Sequence, residues 1–312
     1  MSKLFIIGNG FDLSHKIKSS YSCFREFLVK KCGGHISYMP ATYMNQDGDV
    51  IADETTSAGL LIELIDNIAK GENWADLESY LADFDYQEYF EDYELSDAIN
   101  SNDDDEMFRV AHNREDISSD LRYCVRNIKS LFSEWINEVD IDVLGQKRYK
   151  ELFSDDSLFL SFNYTKTLEN VYQIDKSSIC HIHGTINQEI YFGHGCDSNP
   201  YDSDDFELLG IDFELSQLFD ELRKNVYECY KNNICFFNRI KHSNITDIYS
   251  IGFSFSEVDL FYIKNICDLL QTDKITWHLT EYDKQNGKNS KFESQLKENG
   301  FIGSFGNLVP EE

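Results

Sequence analysis

Proline is almost missing from this chain, with three in 312 residues, so few segments can serve as stiff linkers. Basic residues are scarce as well: 28 Lys and Arg stand against 56 Asp and Glu, a formal net charge of −28. Binding a nucleic acid depends on neutralising its phosphates with Lys and Arg, and no Lys/Arg-rich run interrupts the acidity. A nucleic-acid partner is therefore not expected. A small anionic ligand remains compatible, because backbone N–H groups at helix starts hold phosphates without basic side chains. CxxC pairs are missing although the chain has eight cysteines, which removes zinc-ribbon spacing and makes free thiols the expectation. No run approaches the ~18 apolar residues that span a membrane. The opening MSKLFIIGNG enters an apolar strand without a charged leader and cleavage site. A cytoplasmic protein with no membrane partner is the expectation.

What is present suits a packed core. Hydrophobic residues make up 41% of the chain and aromatics 14%, and the length allows one large domain or two small ones. Four apolar runs end in small or polar residues and read as buried strands: Leu4–Ile7, Ser157–Phe162, Ile179–His183 and Asp247–Ile251. Lys274–Leu279 is a fifth. Helical patterns follow most of them, at Thr165–Gln173, Glu257–Leu270 and Lys291–Glu298. Alternating strand and helix predicts an α/β protein with a parallel sheet covered on both faces.

Between the first two strands lie about 140 residues that read as helix, at Tyr21–Lys31, Ala58–Lys70, Trp74–Asp85 and Ile117–Val139. This is too long for a crossover. The expected division is a nucleotide-binding core of residues 1–14 plus 151–312 and a helical insertion of 15–150, with an acidic loop around 88–116.

Four short motifs fall at strand ends, where ligands bind in open α/β sheets. Gly8-Asn9-Gly10-Phe11-Asp12 follows the first strand, and its glycines would let the backbone approach a pyrophosphate. The third glycine of GxGxxG is missing, so a tight turn without a ligand is the competing reading. In Cys180-His181-Ile182-His183-Gly184, a strand would put His181 and His183 on one face. Such a pair can be metal ligands, satisfied structural histidines or a general base, whose ordinary pKa near 6.5 suits neutral pH. Asn163, before Tyr164 and Thr165, either shapes a turn and helix start or orients a sugar hydroxyl or water. In Gly252-Phe253-Ser254-Phe255-Ser256-Glu257, Ser256 is a helix cap candidate, while Gly252 and Ser254 could meet a ribose or phosphate. Phe192-Gly193-His194-Gly195 reads as a flexible turn of open role.

Together with Trp74-Ala75-Asp76-Leu77-Glu78 and Val258-Asp259-Leu260, these motifs resemble the AbiH family of phage abortive-infection proteins across nearly the whole chain and in the family's order. That family looks like a distant branch of the sirtuin-like NAD-binding fold. On that resemblance the fold is a Rossmann-like parallel sheet with a large helical insertion after its first strand. Gly8-Asn9-Gly10 matches the sirtuin glycine turn, Asn163 the Asn of its T-x-N segment, His183-Gly184 its catalytic His-Gly, and Gly252-Phe253-Ser254 its later G-x-S turn. The missing CxxC pairs depart from the zinc module of sirtuin deacetylases and favour NAD hydrolysis over deacetylation.

The resemblance thus implies NAD as substrate, no metal, and catalysis by Asn163 and His183. Gly8, Asn9, Gly10, Phe11, Asp12, Thr165, His181, Gly252, Phe253 and Ser254 would bind the nucleotide, with Glu78 a further catalytic candidate. An unregulated NAD hydrolase would kill its host, so a homo-oligomer or a phage-derived trigger is an implied partner. A non-catalytic sensor of NAD or an ADP-ribose-type nucleotide, with the insertion as its partner surface, is the alternative.

Overall fold

The computed structural model describes residues 2–34, 41–68, 77–78, 81–82, 104–154, 156–186, 188–202 and 211–308. In chain order its elements are β1 (Ser2–Ile7), α1 (Asn9–Ser14), α2 (Tyr21–Lys31), β2 (Thr42–Met44), β3 (Val50–Ala52), α3 (Glu54–Ile68), α4 (Asp104–Arg126), α5 (Ile128–Glu138) and α6 (Lys147–Leu152). Then come β4 (Leu158–Ser161), α7 (Thr167–Tyr172), β5 (Ile179–His181), α8 (Asp212–Glu221), α9 (Val226–Asn232), α10 (Ile234–His242) and β6 (Ile245–Ile251). The chain closes with α11 (Leu260–Leu269), β7 (Thr276–Thr280), α12 (Glu281–Gln285), α13 (Asn289–Glu298) and β8 (Ser304–Leu308).

Two compact units are formed. The first contains residues 1–20, 136–191 and 225–312, and the second residues 21–135 and 192–224. Residues 192–224, which the sequence reading places with the core, therefore group with the helices of the second unit.

The first unit is built on a six-stranded sheet in the order β5-β4-β1-β6-β7-β8, all neighbours parallel. Counting only these strands along the chain gives 3-2-1-4-5-6, the doubly wound Rossmann-type arrangement, whose winding reverses between β1 and β6. Alternation within β1 shows why both faces are covered. Leu4 and Ile6 join one core with Cys229, Phe237, Ile263 and Phe292 from α9, α10, α11 and α13. Phe5 and Ile7 join the other with Phe11, Tyr149 and Leu168 from α1, α6 and α7. On that second face, parallel register stacks Phe159, Phe5, Tyr249 and His278 across β4, β1, β6 and β7, with successive ring centroids 5.0, 5.0 and 4.3 Å apart. Such aromatic contacts add stabilisation beyond the apolar area they bury.

Within the second unit α2, α3 and α4 pack together, and α8 lies on α4, tied by Arg122 to Glu214 at 2.8 Å. Phe132 is its aromatic hub, within 4.8–5.5 Å of Phe192, Phe24 and Trp135.

Several boundaries differ from the sequence reading. β2 and β3 form a hairpin inside the stretch read as wholly helical. Its turn is set by Asn45, whose Oδ1 accepts from the amides of Asp47 and Asp49, and by Gly48 at φ 87°. The 117–139 helix is two helices that break at Asn127. The acidic stretch is not a loop throughout: residues 104–116 begin α4, while 88–103 lie outside the described residues. Of the 74–85 helix only residues 77–78 and 81–82 are described, and they are helical. Among the described residues three helices, α8 to α10, lie between β5 and β6, and β8 is a sixth strand whose short SFGNL sequence has no continuous apolar run. No described helix is long and apolar enough to cross a membrane.

Candidate functional site

The winding reversal brings the turns after β1 and β6 together in the first unit. Gly8 N–H donates to Ile251 O, and Gly10 N–H to Gly252 O, each at 3.0 Å. A Cβ on Gly8 would sit 2.5 Å from the Gly252 oxygen, and one on Gly10 2.7 Å from the Gly252 Cα. Gly252 itself has φ 64°, in the left-handed region where side chains are strained. The glycines thus let two backbones touch, and in this state their amides are engaged by protein rather than by a phosphate. The Asn9 side chain faces Ser19, accepting from its hydroxyl at 2.7 Å and donating to its carbonyl at 3.1 Å. Phe11 and Phe253 are buried in the two cores of the sheet, so their side chains pack rather than line an opening. Ser254 is exposed.

Asp12 points from the β1 turn toward the end of β4. It is fully buried, and Oδ2 accepts from the Thr165 hydroxyl at 2.5 Å, which also lies 3.1 Å from Thr167 Oγ1. Burial pushes its carboxyl up to about 6, against the lowering by Thr165, Thr167, Asn163 and the charge of His181. Asn163 lies alongside, 6% exposed, and its amide favours the Asp12 carboxylate, yet Nδ2, Oδ1 and Asp12 Oδ1 have no partner at close hydrogen-bonding geometry. Buried polar atoms are nearly always paired, because leaving one unpaired costs about 1–3 kcal/mol. Two adjoining buried side chains thus keep hydrogen-bonding capacity in reserve at the strand ends.

The two histidines do not share a strand face. β5 ends at His181, and the chain turns through Ile182 and His183 to Gly184 at φ 81°. His181 bonds the Asn163 carbonyl through Nδ1 at 3.0 Å and Glu169 Oε1 through Nε2 at 3.1 Å. Burial raises the Glu169 carboxyl, but the hydrogen bond from His181 and its charge outweigh that and hold it below the ordinary range. His183 instead lies among Phe162, Tyr164 and Tyr262, with Nε2 3.5 Å from Asp259 Oδ1. Each histidine thus has its own carboxylate, which separates them as metal ligands. Among the described residues no group of three or more His, Cys, Asp or Glu side chains is placed to hold a metal ion.

Glu169 and Asp259 are site residues that the sequence reading did not assign. Asp259 occupies the N-cap of α11 without capping it. Its carboxylate accepts from the Ser256 hydroxyl at 2.8 Å and faces His183. Ser256, expected to cap that helix, therefore supports Asp259. Spacing gave one usable signal, an acid three residues after Ser256 at a helix start.

Two motifs fall in the second unit. Glu78 pairs with Lys224 at 3.0 Å, both side chains buried. The expected flexible turn at 192–195 is fixed: His194 is fully buried, bridges in parallel to Arg223, and accepts from Cys196 N–H at Nδ1. Its Nε2–H then donates to Phe219 O at 2.9 Å, and burial lowers its pKa, so it is a neutral structural histidine.

A doubly wound parallel sheet with helices on both faces and a polar cluster at its winding reversal defines a Rossmann-like α/β protein. The sequence model of the bacteriophage abortive infection AbiH family matches residues 4–281, and the chain belongs to that family. No curated protein and no solved structure matches it.

Proposed function

We propose that this abortive-infection protein hydrolyses NAD to nicotinamide and ADP-ribose at the ends of β1, β4, β5 and β6. The observation that carries this reading is the buried Asn163 amide, which bears on the Asp12 carboxylate but, like Asp12 Oδ1, has no partner at close hydrogen-bonding geometry. A ribose offers hydroxyls that would complete both. His183, beside Asp259, is the base. As the C1′–N bond breaks, its electron pair leaves with nicotinamide, water adds to C1′, and the water proton passes to His183. The developing ribosyl cation needs positioning and a nearby base, which these side chains supply. Thr165 and His181 hold Asp12 and Asn163 in place, and the Gly8–Asp12 and Gly252–Ser254 turns frame the mouth. Phe11 and Phe253 support those turns from the core.

The test is nicotinamide release from NAD by the purified protein, with His183→Ala and Asn163→Ala in parallel. Release by the wild type and its loss in both folded variants is the expected result. Turnover retained in either variant overturns the assignment. Tight NAD binding without release identifies a sensor instead.

A further inference from the structure

A nucleotide carries phosphates, and in doubly wound sheets these ordinarily meet the amides of the first glycine turn. Here Gly8 and Gly10 N–H are donated to the β6 turn, Phe11 N–H to Gly8 O, and the Asn9 side chain faces Ser19. The glycine seam therefore has little left to offer an anion. Another part of the same unit has the complementary equipment.

A cleft of about 280 Å³ opens beside the edge strand β5, and Lys166, Glu169, Lys176, His181, Thr185 and Asn233 are among its lining residues. Two features set it apart. In a chain with 28 more acids than bases, it gathers two lysines, one of which, Lys166, also acts through its charge on the cleft's carboxylate. Its one carboxylate, Glu169, is nine-tenths buried and hydrogen-bonded to His181 through Oε1, while Oε2 has no partner. The charge of Glu169 is thus met from behind by the imidazole, and one of its oxygens still requires a donor.

We infer that this cleft binds a phosphate flanked by a hydroxyl, as in a ribose phosphate. The Lys166 and Lys176 ammonium groups meet the phosphate oxygens, and the neighbouring hydroxyl donates to Glu169 Oε2. His181 is shared between this cleft and Asn163, so the phosphate sits at the strand ends but outside the glycine seam. The inference rests on the nucleotide reading above, since it says where that nucleotide's phosphate is held, but its test needs no turnover.

Calorimetric titration with ADP-ribose, inorganic pyrophosphate and adenosine compares the wild type with the Lys166→Ala/Lys176→Ala double variant and with Glu169→Gln. Charge-assisted contacts of about 1.5–3 kcal/mol each predict roughly 10- to 100-fold weaker ADP-ribose binding per lysine removed. Pyrophosphate binding should fall in parallel and weaken with added salt. Adenosine should be indifferent to the lysines. Glu169→Gln should weaken ADP-ribose more than pyrophosphate at pH 10, where pyrophosphate is fully ionised and has no hydroxyl to donate. An unchanged circular-dichroism spectrum and melting midpoint confirm that the lysine variant is folded. Equal binding of ADP-ribose and pyrophosphate by wild type and double variant overturns the inference, as does no binding of either by wild type. Lysine-dependent pyrophosphate binding without nicotinamide release would leave this site standing while the hydrolase reading fell.

Discussion

At the ends of β1 and β6 the two turns lie backbone against backbone, whereas at the ends of β4 and β5 side chains face one another with hydrogen-bonding atoms left over. In the first place Gly8 and Gly10 donate to Ile251 and Gly252, and three positions lack a Cβ that the contact could not hold. In the second, Asp12, Asn163 and Glu169 each keep a buried polar atom without a partner. A seam whose Gly8, Gly10 and Phe11 amides are engaged favours stability. Unfilled capacity costs stability and is retained where a ligand completes it.

Five variants would break or sharpen that contrast. The largest effect belongs to the seam. Gly252→Ala meets both a left-handed φ of 64° and the amide of Phe11, and it should cost about 3 kcal/mol or more by urea denaturation. Gly287→Ala, at φ 70° with nothing within 4 Å, should cost only about 1–2 kcal/mol. Equal losses would show that the close approach adds nothing to the backbone strain.

Next comes Asp12→Asn. The Asp12 carboxyl moves from an ordinary 3.8 up to about 6 in the fold. Between those values the unfolded chain releases a proton that the folded chain keeps, so wild-type stability falls as pH rises through that window. The variant should be more stable by about 3 kcal/mol above pH ~6, with no advantage below pH ~4. A difference independent of pH would place the proton elsewhere.

Glu169→Gln should cost about 1–3 kcal/mol at neutral pH, by weakening the bond to His181. Its sign with pH is opposite. The Glu169 carboxyl is held below its ordinary value, so its contribution is complete above the unfolded pKa and lost as pH falls through the folded one. Acid titration followed by circular dichroism should show that loss in wild type and not in the variant.

The smallest effect on stability is expected at Asn163. Its amide has no partner at close hydrogen-bonding geometry, so Asn163→Ala should change stability by about 1 kcal/mol or less. A loss of several kcal/mol would mark Asn163 as structural.

Part of this was legible before any coordinates. Leu4–Ile7 is apolar at every position, the pattern of a strand buried on both faces, and both its neighbours showed short apolar runs ending in small or polar residues. The Gly8 and Gly252 turns could be placed at strand ends for the same reason. Pairings set by tertiary structure could not be read. Glu169 reaches His181 through the β4-α7-β5 connection, and Asp259 reaches His183 from a different strand end, so no local spacing announces either. The shared face expected of His181 and His183 required a strand two residues longer than β5, and the turn at Gly184 removed that parity. Phe11 and Phe253 lie inside motifs that suggest ligand contact, yet motif membership does not say which way a ring points. β8 escaped because an edge strand with a glycine and polar positions carries little periodic signal.

The position of β1 also bears on how the chain is made. Among the strands of this sheet it is the first in chain order, but its neighbours begin at residues 158 and 245. At roughly 5–20 residues per second, Leu4–Ile7 waits on the order of 10–50 seconds for its second neighbour. Throughout that interval a strand with four successive buried apolar residues has an unfilled edge, a setting that invites aggregation. Nascent chains ending before residue 245 should therefore depend on chaperones far more than the completed protein does.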